Sequence, residues 1–168
     1  LYSDMTTESA EFLGDLDAEL STVRTALGAR FGDSLDLSTS LPLVTRIRNQ
    51  YGDQVGDYST IKSTFNTATM YNKSKFAMKE VDGGRVVPDL NHRHFTDDIP
   101  FGLVPVKDVA SKLGVATPVV DEMIRWHQGL MGKEYIVGTE LTGADVGETG
   151  VMGNYGVKDI DAYLAGKY

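Results

Sequence analysis

Residues 91–105 hold the densest group of chemically reactive side chains in the sequence. Two histidines, an arginine and two carboxylates occur within seven positions, and an apolar run follows at once: His92, Arg93, His94, Asp97, Asp98 and then Ile99-Pro100-Phe101. Opposite charges and imidazoles beside an apolar wall shift pKa values and can position a proton-transfer group. This segment is therefore the first candidate for catalysis or substrate binding.

Two interpretations apply to Arg93 and Asp98. They could form a salt bridge that closes a loop, which is the common role of such a pair on a protein surface. Alternatively, the planar guanidinium of Arg93 could bind a substrate carboxylate, while Asp98 orients a histidine and stabilises its protonated form. The pattern alone leaves both interpretations open.

The histidines raise the question of a metal site. His92 and His94 have a spacing that lets alternate residues of an extended segment reach one ion, with Asp97, Asp98 or a distant group as third ligand. Arg93 opposes a cation, and paired histidines are more often hydrogen-bonded structural residues. The sequence therefore predicts no metal. A third histidine, His127, lies within a predicted helix and is expected to be a packed or surface residue rather than a catalyst.

Residues 138–156 contain six glycines, four of them three residues apart at 147, 150, 153 and 156. This composition favours a folded loop over a helix. The segment matches neither the GxGxxG fingerprint nor the P-loop pattern, and no predicted strand precedes it. The chain also lacks cysteine and a serine in a GxSxG elbow, so serine or cysteine nucleophilic catalysis has no support.

Composition narrows the class of protein. The 24 acidic and 16 basic residues give a net charge of −8, which disfavours binding to nucleic acid or to anionic membranes. No run of about 18 apolar residues exists, so no membrane span is predicted. The lack of cysteine is typical of a reducing compartment, and a cytoplasmic location is expected. Because the sequence begins at Leu1 without methionine, we expect it to be part of a longer protein.

Hydrophobic spacing predicts an all-α fold in a single domain over residues 1–168. About six helices are expected: residues 7–27 with an apolar stripe, 41–51 after a cap at Ser40, 59–70, 106–113, one opening at Thr117-Pro118, and 157–164. Residues 73–88 are predicted to be a loop that turns at Gly83-Gly84, and no strand is predicted. These helices must position the charged cluster.

The sequence of the charged cluster resembles a segment found in a known protein family. Residues 93–104 are similar to the stretch Arg-Tyr-Leu-Thr-Glu-Asp-Val-Pro-Tyr-Gly-Leu-Val of the octopine/nopaline (opine) dehydrogenases, with most positions identical or conservative. The segment Gly114-Val115-Ala116-Thr117-Pro118 and the opening Tyr2-Ser3-Asp4-Met5-Thr6 also resemble family segments. The resemblance covers most of the chain and leaves out residues 33–88.

The resemblance implies a two-domain oxidoreductase that uses NAD or NADP. An N-terminal Rossmann domain, absent from this chain, would bind the nucleotide, and a helical domain would close over the substrates. The helical domain of the family is similar in fold to the C-terminal domain of 6-phosphogluconate dehydrogenase. The implied reaction joins the amino group of an amino acid to a 2-oxo acid and reduces the resulting imine by hydride transfer.

Three site residues follow from the resemblance. Asp98 matches the catalytic aspartate of the family, Arg93 matches the arginine that contacts the amino-acid substrate, and His94 replaces a usual tyrosine in the substrate site. The catalytic histidine of the family would precede Leu1, so the chain alone should be inactive. An alternative is a non-catalytic binding or dimerisation module derived from this domain, and a homodimer is among the assemblies that the sequence allows.

Overall fold

The structure is a computed structural model that describes residues 2–72 and 75–166. Within these ranges, the α-helices in chain order are α1 (Thr7–Phe31), α2 (Leu43–Tyr51), α3 (Ile61–Asn66), α4 (Arg93–Thr96), α5 (Val104–Lys112), α6 (Pro118–Met131) and α7 (Ile160–Leu164). A π-helical turn at Ile99–Leu103, hereafter the π turn, joins α4 to α5. Short 3-10 turns lie at Tyr2–Asp4, Gly32–Ser34, Gly52–Gln54, Thr69–Tyr71, Val146–Glu148 and Met152–Tyr155. The predicted helical fold is confirmed.

None of the described helices is both long enough and apolar enough to span a membrane. The longest of them, α1, repeats its apolar residues every three or four positions, and its stripe buries Leu16 and Val23. Helix α1 was predicted over residues 7–27 and instead continues through Gly28 to Phe31. Glycine within a helix costs only about 1 kcal/mol relative to alanine, which neighbouring contacts can offset.

The chain divides into two compact units, with α1 contributing to both. The first unit comprises residues up to 24 and residues 36–88. Its core is a cluster of four buried residues, Ile47, Val55, Phe65 and Ala68. Aromatic rings surround this core: the ring centroid of Tyr2 lies 5.4 Å from that of Phe65 and 4.6 Å from that of Tyr71.

Two helices of the first unit begin with hydrogen bonds to side chains. The carboxylate of Asp17 on α1 accepts the Leu43 N–H at 3.0 Å, so α2 begins under a cap from another helix. Helix α3 begins with a capping box: the Thr60 hydroxyl accepts the Ser63 N–H at 3.0 Å, and the Ser63 hydroxyl accepts the Thr60 N–H at 3.1 Å. The sequence had predicted a helix over residues 59–70, whereas α3 begins at Ile61.

The first unit also contains a β-hairpin that was not predicted. Strands β1 (Met78–Val81) and β2 (Arg85–Pro88) pair antiparallel, with Val81 opposite Arg85. The prediction of a loop over these residues was therefore wrong, although the turn does lie at Gly83-Gly84, where φ is +80° and +71°. Most hairpin residues are exposed, so the strands show no clear alternation of apolar and polar residues.

The second unit comprises residues 25–35 and 89–166. Its buried apolar residues come from α4 to α7 and from the segments between them: Phe95, Ile99, Val104, Ala110, Val120, Ile124, Tyr135, Ile136, Val151 and Ile160. The guanidinium of Arg30, in the last turn of α1, forms an ion pair with Asp161 on α7. This pair raises the pKa of Arg30 and lowers the pKa of Asp161.

Candidate functional site

Helix α4 is a single short turn that carries the charged cluster. His92 lies at its N-cap, and its Nδ1 atom accepts the N–H of His94 at 3.4 Å. Phe95 points inward and is only 2% exposed, which anchors the turn in the core of the second unit. Because Phe95 is buried, its neighbours on the opposite side of the turn remain near the surface.

Arg93 and Asp98 are brought together by the same turn. The Arg93 carbonyl accepts the N–H of Asp97 at 2.9 Å and the N–H of Asp98 at 3.0 Å, so the five-residue spacing closes into one wide helical turn. The Arg93 guanidinium lies 3.5 Å from the Asp98 carboxylate, and the two side chains are 69% and 51% exposed. The loop-closing ion pair suggested by the sequence is therefore present, and both groups remain open to a ligand.

The π turn fixes the position of Asp98. Its second residue, Pro100, and the preceding Ile99 are both buried, while Leu103 donates its N–H to the Asp98 carbonyl at 3.1 Å. π-helical turns are rare and occur often at functional sites. The half-exposed carboxylate of Asp98 therefore projects from a buried support, formed by Ile99 and Pro100.

The two neighbouring histidines do not form the extended pair that a metal site would need. His92 precedes α4 and His94 lies within it, with ring centroids 4.3 Å apart and planes 68° apart. In residues 2–72 and 75–166, no group of three histidine, aspartate or glutamate side chains is close enough to hold a metal ion. The assumption of an extended segment was wrong, because the N-cap begins a helix at this point.

His127 lies on α6 and packs against Phe95 of α4. The sequence predicted a packed or surface residue at this position. Its ring centroid lies 5.5 Å from that of Phe95 and 4.6 Å from that of Trp126. Its Nδ1 atom lies 2.8 Å from the Met123 carbonyl oxygen. Burial lowers the pKa of His127, and the hydrogen bond to Met123 opposes this effect.

A buried polar cluster links α5 and α6 and was missed by sequence reasoning. The ammonium group of Lys107 lies 2.8 Å from a carboxylate oxygen of Asp121 and 3.4 Å from the Thr117 hydroxyl. These residues contribute to the lining of a cavity of about 390 Å³ in the second unit. No local motif signals this cluster, because its members are separated by 10 and 14 positions.

The family of the chain follows from a match to a family model. The model described as NAD/NADP octopine/nopaline dehydrogenase, alpha-helical domain, matches residues 1–131. The chain belongs to this family. The resemblance seen at residues 93–104 is thereby confirmed, together with the assignment to the helical domain.

Individual relatives of the octopine/nopaline dehydrogenase family agree with this assignment. The opine dehydrogenase of Haliotis discus hannai is 37% identical over 97% of this chain and 40% of its own length. A solved structure of octopine dehydrogenase with NADH and L-arginine has a TM-score of 0.89 and 34% identity, covering all of this chain and 41% of that one. A second, with NADH and pyruvate, has a TM-score of 0.84 and 33% identity over all of this chain and 40% of that one.

The chain spans about 40% of the length of the relatives that it matches. The solved octopine dehydrogenases are complexes with NADH, which supports the use of NAD(H) in the family.

Proposed function

We propose that this chain is the helical, substrate-closing domain of an NAD(P)-dependent opine dehydrogenase-like enzyme. The enzyme would join the amino group of an amino acid to a 2-oxo acid and reduce the imine to a secondary amine. The observation that carries the proposal is the exposed Arg93–Asp98 pair on its buried support, in a chain of this family. The nicotinamide would supply the hydride.

Nucleotide binding is assigned to another part of the enzyme. In the described part of the glycine-rich segment, residues 138–156, 3-10 turns occur and no strand leads into a glycine-rich turn and helix. The residues present therefore do not fit a dinucleotide site. We propose that a Rossmann domain of the same protein binds NAD or NADP, and that this chain alone is inactive.

Arg93 would bind a substrate carboxylate. An exposed ion pair contributes about 1 kcal/mol or less, so the contact with Asp98 at 3.5 Å can open at little cost. The guanidinium offers a planar fork of donors, and a substrate carboxylate can accept two of them at once. Arg93 would therefore hold the amino-acid substrate beside the reacting centre.

Asp98 would act on a histidine that this chain does not contain. A carboxylate hydrogen-bonded to an imidazole fixes its tautomer and stabilises its protonated form. Half of the Asp98 side chain is exposed, which leaves room for an imidazole from the nucleotide-binding domain. The histidine would transfer the proton when the imine forms and is reduced, and Asp98 would keep it oriented.

His94 completes the proposed substrate site. It lies on α4 directly after Arg93, and its ring packs at 4.3 Å from that of His92, which holds it in place. The partly buried imidazole can contact a substrate bound by Arg93. The family usually has tyrosine at this position. The change to histidine would alter this contact and so influence which amino acid is preferred.

The test is NAD(P)H oxidation by the full-length parent protein. NADH and NADPH would each be supplied with panels of amino acids and 2-oxo acids, given together and separately. Oxidation that requires both substrates would support the proposal and identify the pair. Oxidation with a 2-oxo acid alone would indicate a different dehydrogenase, and no oxidation with any pair would favour a non-catalytic module.

A further inference from the structure

Gly150, in the glycine-rich segment, contacts the π turn that follows Asp98. Its N–H donates to the carbonyl of Pro100 at 2.9 Å. Pro100 is the second residue of the π turn and is buried. A backbone hydrogen bond therefore connects the glycine-rich segment to a point two residues after the proposed catalytic aspartate.

A side chain at position 150 would approach Pro105 and Phe101 closely. A Cβ atom there would lie 2.9 Å from Pro105 Cγ, 3.3 Å from Phe101 Cδ1 and 3.4 Å from Phe101 Cα. Real Cβ atoms essentially never approach another heavy atom within 3.0 Å, so the segment, the Pro105 ring at the start of α5 or the π turn would have to shift.

The segment around Gly150 is itself held firmly. Thr149 is 2% exposed and its hydroxyl donates to the Val146 carbonyl at 2.7 Å, while Val151 is 6% exposed. The N–H of Met152 donates to the Asp108 carboxylate on α5 at 2.8 Å. Since this side is fixed by hydrogen bonds and burial, we expect a side chain at position 150 to press against Pro105, at the start of α5, and against Phe101 of the π turn.

We infer that Gly150 is a positioning residue for Asp98, acting through Pro100 and the π turn. The link is short, because Leu103 of the same turn donates its N–H to the Asp98 carbonyl. The inference rests on the proposed function, which gives Asp98 its role in proton transfer. It also gives a role to one glycine of a segment that lacks the dinucleotide-binding fingerprint.

The test compares Gly150→Ala with Gly147→Ala in the full-length enzyme. Gly147 is exposed in the same segment, and a Cβ there meets nothing within 4 Å. A misplacement of about 1 Å can cost roughly 100-fold in rate, so we expect kcat to fall by about that factor in Gly150→Ala with KM for both substrates little changed. Gly147→Ala should stay within about twofold of wild type.

Two further variants separate positioning from damage to folding. In an Asp98→Asn background, Gly150→Ala should add less than about twofold, because two residues acting through one group are not additive. Pro105→Ala removes the atom closest to the new methyl group. The kcat of the double variant Gly150→Ala/Pro105→Ala would be compared with that of Pro105→Ala alone. The loss between these two should be at least about tenfold smaller than the loss between wild type and Gly150→Ala.

Amide hydrogen exchange across residues 97–104 gives a readout that needs no activity. Faster exchange there in Gly150→Ala, and not in Gly147→Ala, is expected. Equal kcat in the two glycine variants, or a full additive loss in the Asp98→Asn background, would overturn the inference while leaving the proposed function intact. A wild-type enzyme inactive with every substrate pair would overturn the proposed function and this inference with it.

Discussion

Lys107 and Asp121 form an ion pair in the interior of the second unit, with 2.8 Å between Nζ and Oδ1 and side-chain exposures of 5% and 4%. Thr117 is 1% exposed, and its hydroxyl oxygen lies 3.4 Å from the Lys107 ammonium nitrogen and 3.4 Å from a carboxylate oxygen of Asp121. Removing two charges from water is costly, and their mutual attraction repays the cost only while both partners remain. The pair thus ties α5, which follows the π turn, to α6.

Loss of one partner should destabilise the protein strongly. Asp121→Asn leaves the Lys107 ammonium buried without a counter-charge, and we expect the free energy of unfolding to fall by about 3–5 kcal/mol. Urea denaturation measures this change. The double variant Lys107→Met/Asp121→Leu should lose clearly less than Asp121→Asn, and the exposed Lys79→Met should change stability by about 0.5 kcal/mol or less. Equal losses in the single and double variants would contradict this account.

Stability should depend on the protonation of His127. Burial lowers its pKa in the folded protein below the ordinary value of 6.5, so the unfolded chain binds the proton more readily. The contribution of His127 to stability is therefore present above pH 6.5 and is lost as pH falls through the lower folded pKa. His127→Gln should flatten the pH dependence of the free energy of unfolding in this range. The reference is pH 8, where residue 127 is uncharged in the folded and in the unfolded protein. An unchanged slope below pH 6.5 would refute the prediction.

Much of the helical framework could be predicted from local pattern. The stripe on α1 that includes Leu16 and Val23 identified a long helix, and Thr117-Pro118 correctly marked the start of α6. Such signals are local, since periodicity and caps depend on residues within a few positions of each other. The family resemblance likewise rested on local stretches, residues 93–104 with supporting segments at residues 2–6 and 114–118.

Other features depend on contacts between distant residues. The cap of α2 comes from Asp17, 26 positions away, and the partner of Lys107 lies 14 positions away. Most residues of the β-hairpin are exposed, so its sequence does not alternate between apolar and polar residues as a half-buried strand does. The ion pair that the sequence suggested between Arg93 and Asp98 is confirmed, but the π turn that follows Asp98 could not be predicted from spacing alone.

Arg93 should control the apparent affinity for one substrate. Arg93→Lys keeps the charge but loses the planar fork, and we expect KM for the amino acid to rise about 10- to 100-fold, equivalent to about 1.5–3 kcal/mol for a hydrogen bond to a charged group. Effects on kcat should be smaller. Steady-state kinetics of the full-length enzyme measure both constants. Arg85→Lys, on the exposed strand β2, serves as the matched control, and an equal KM in the two variants would exclude this role for Arg93.

The neighbouring carboxylates Asp97 and Asp98 offer the most direct test of the whole account. Both are exposed on the same turn, and only Asp98 is within reach of Arg93 at 3.5 Å among the described ion pairs. In the full-length enzyme, Asp98→Asn would remove the charge that we propose stabilises the protonated histidine, and we expect kcat to fall by about 10⁴-fold, as for an aspartate that orients a catalytic histidine. Asp97→Asn should stay within about twofold of wild type. Turnover by Asp98→Asn at the level of Asp97→Asn would contradict the account.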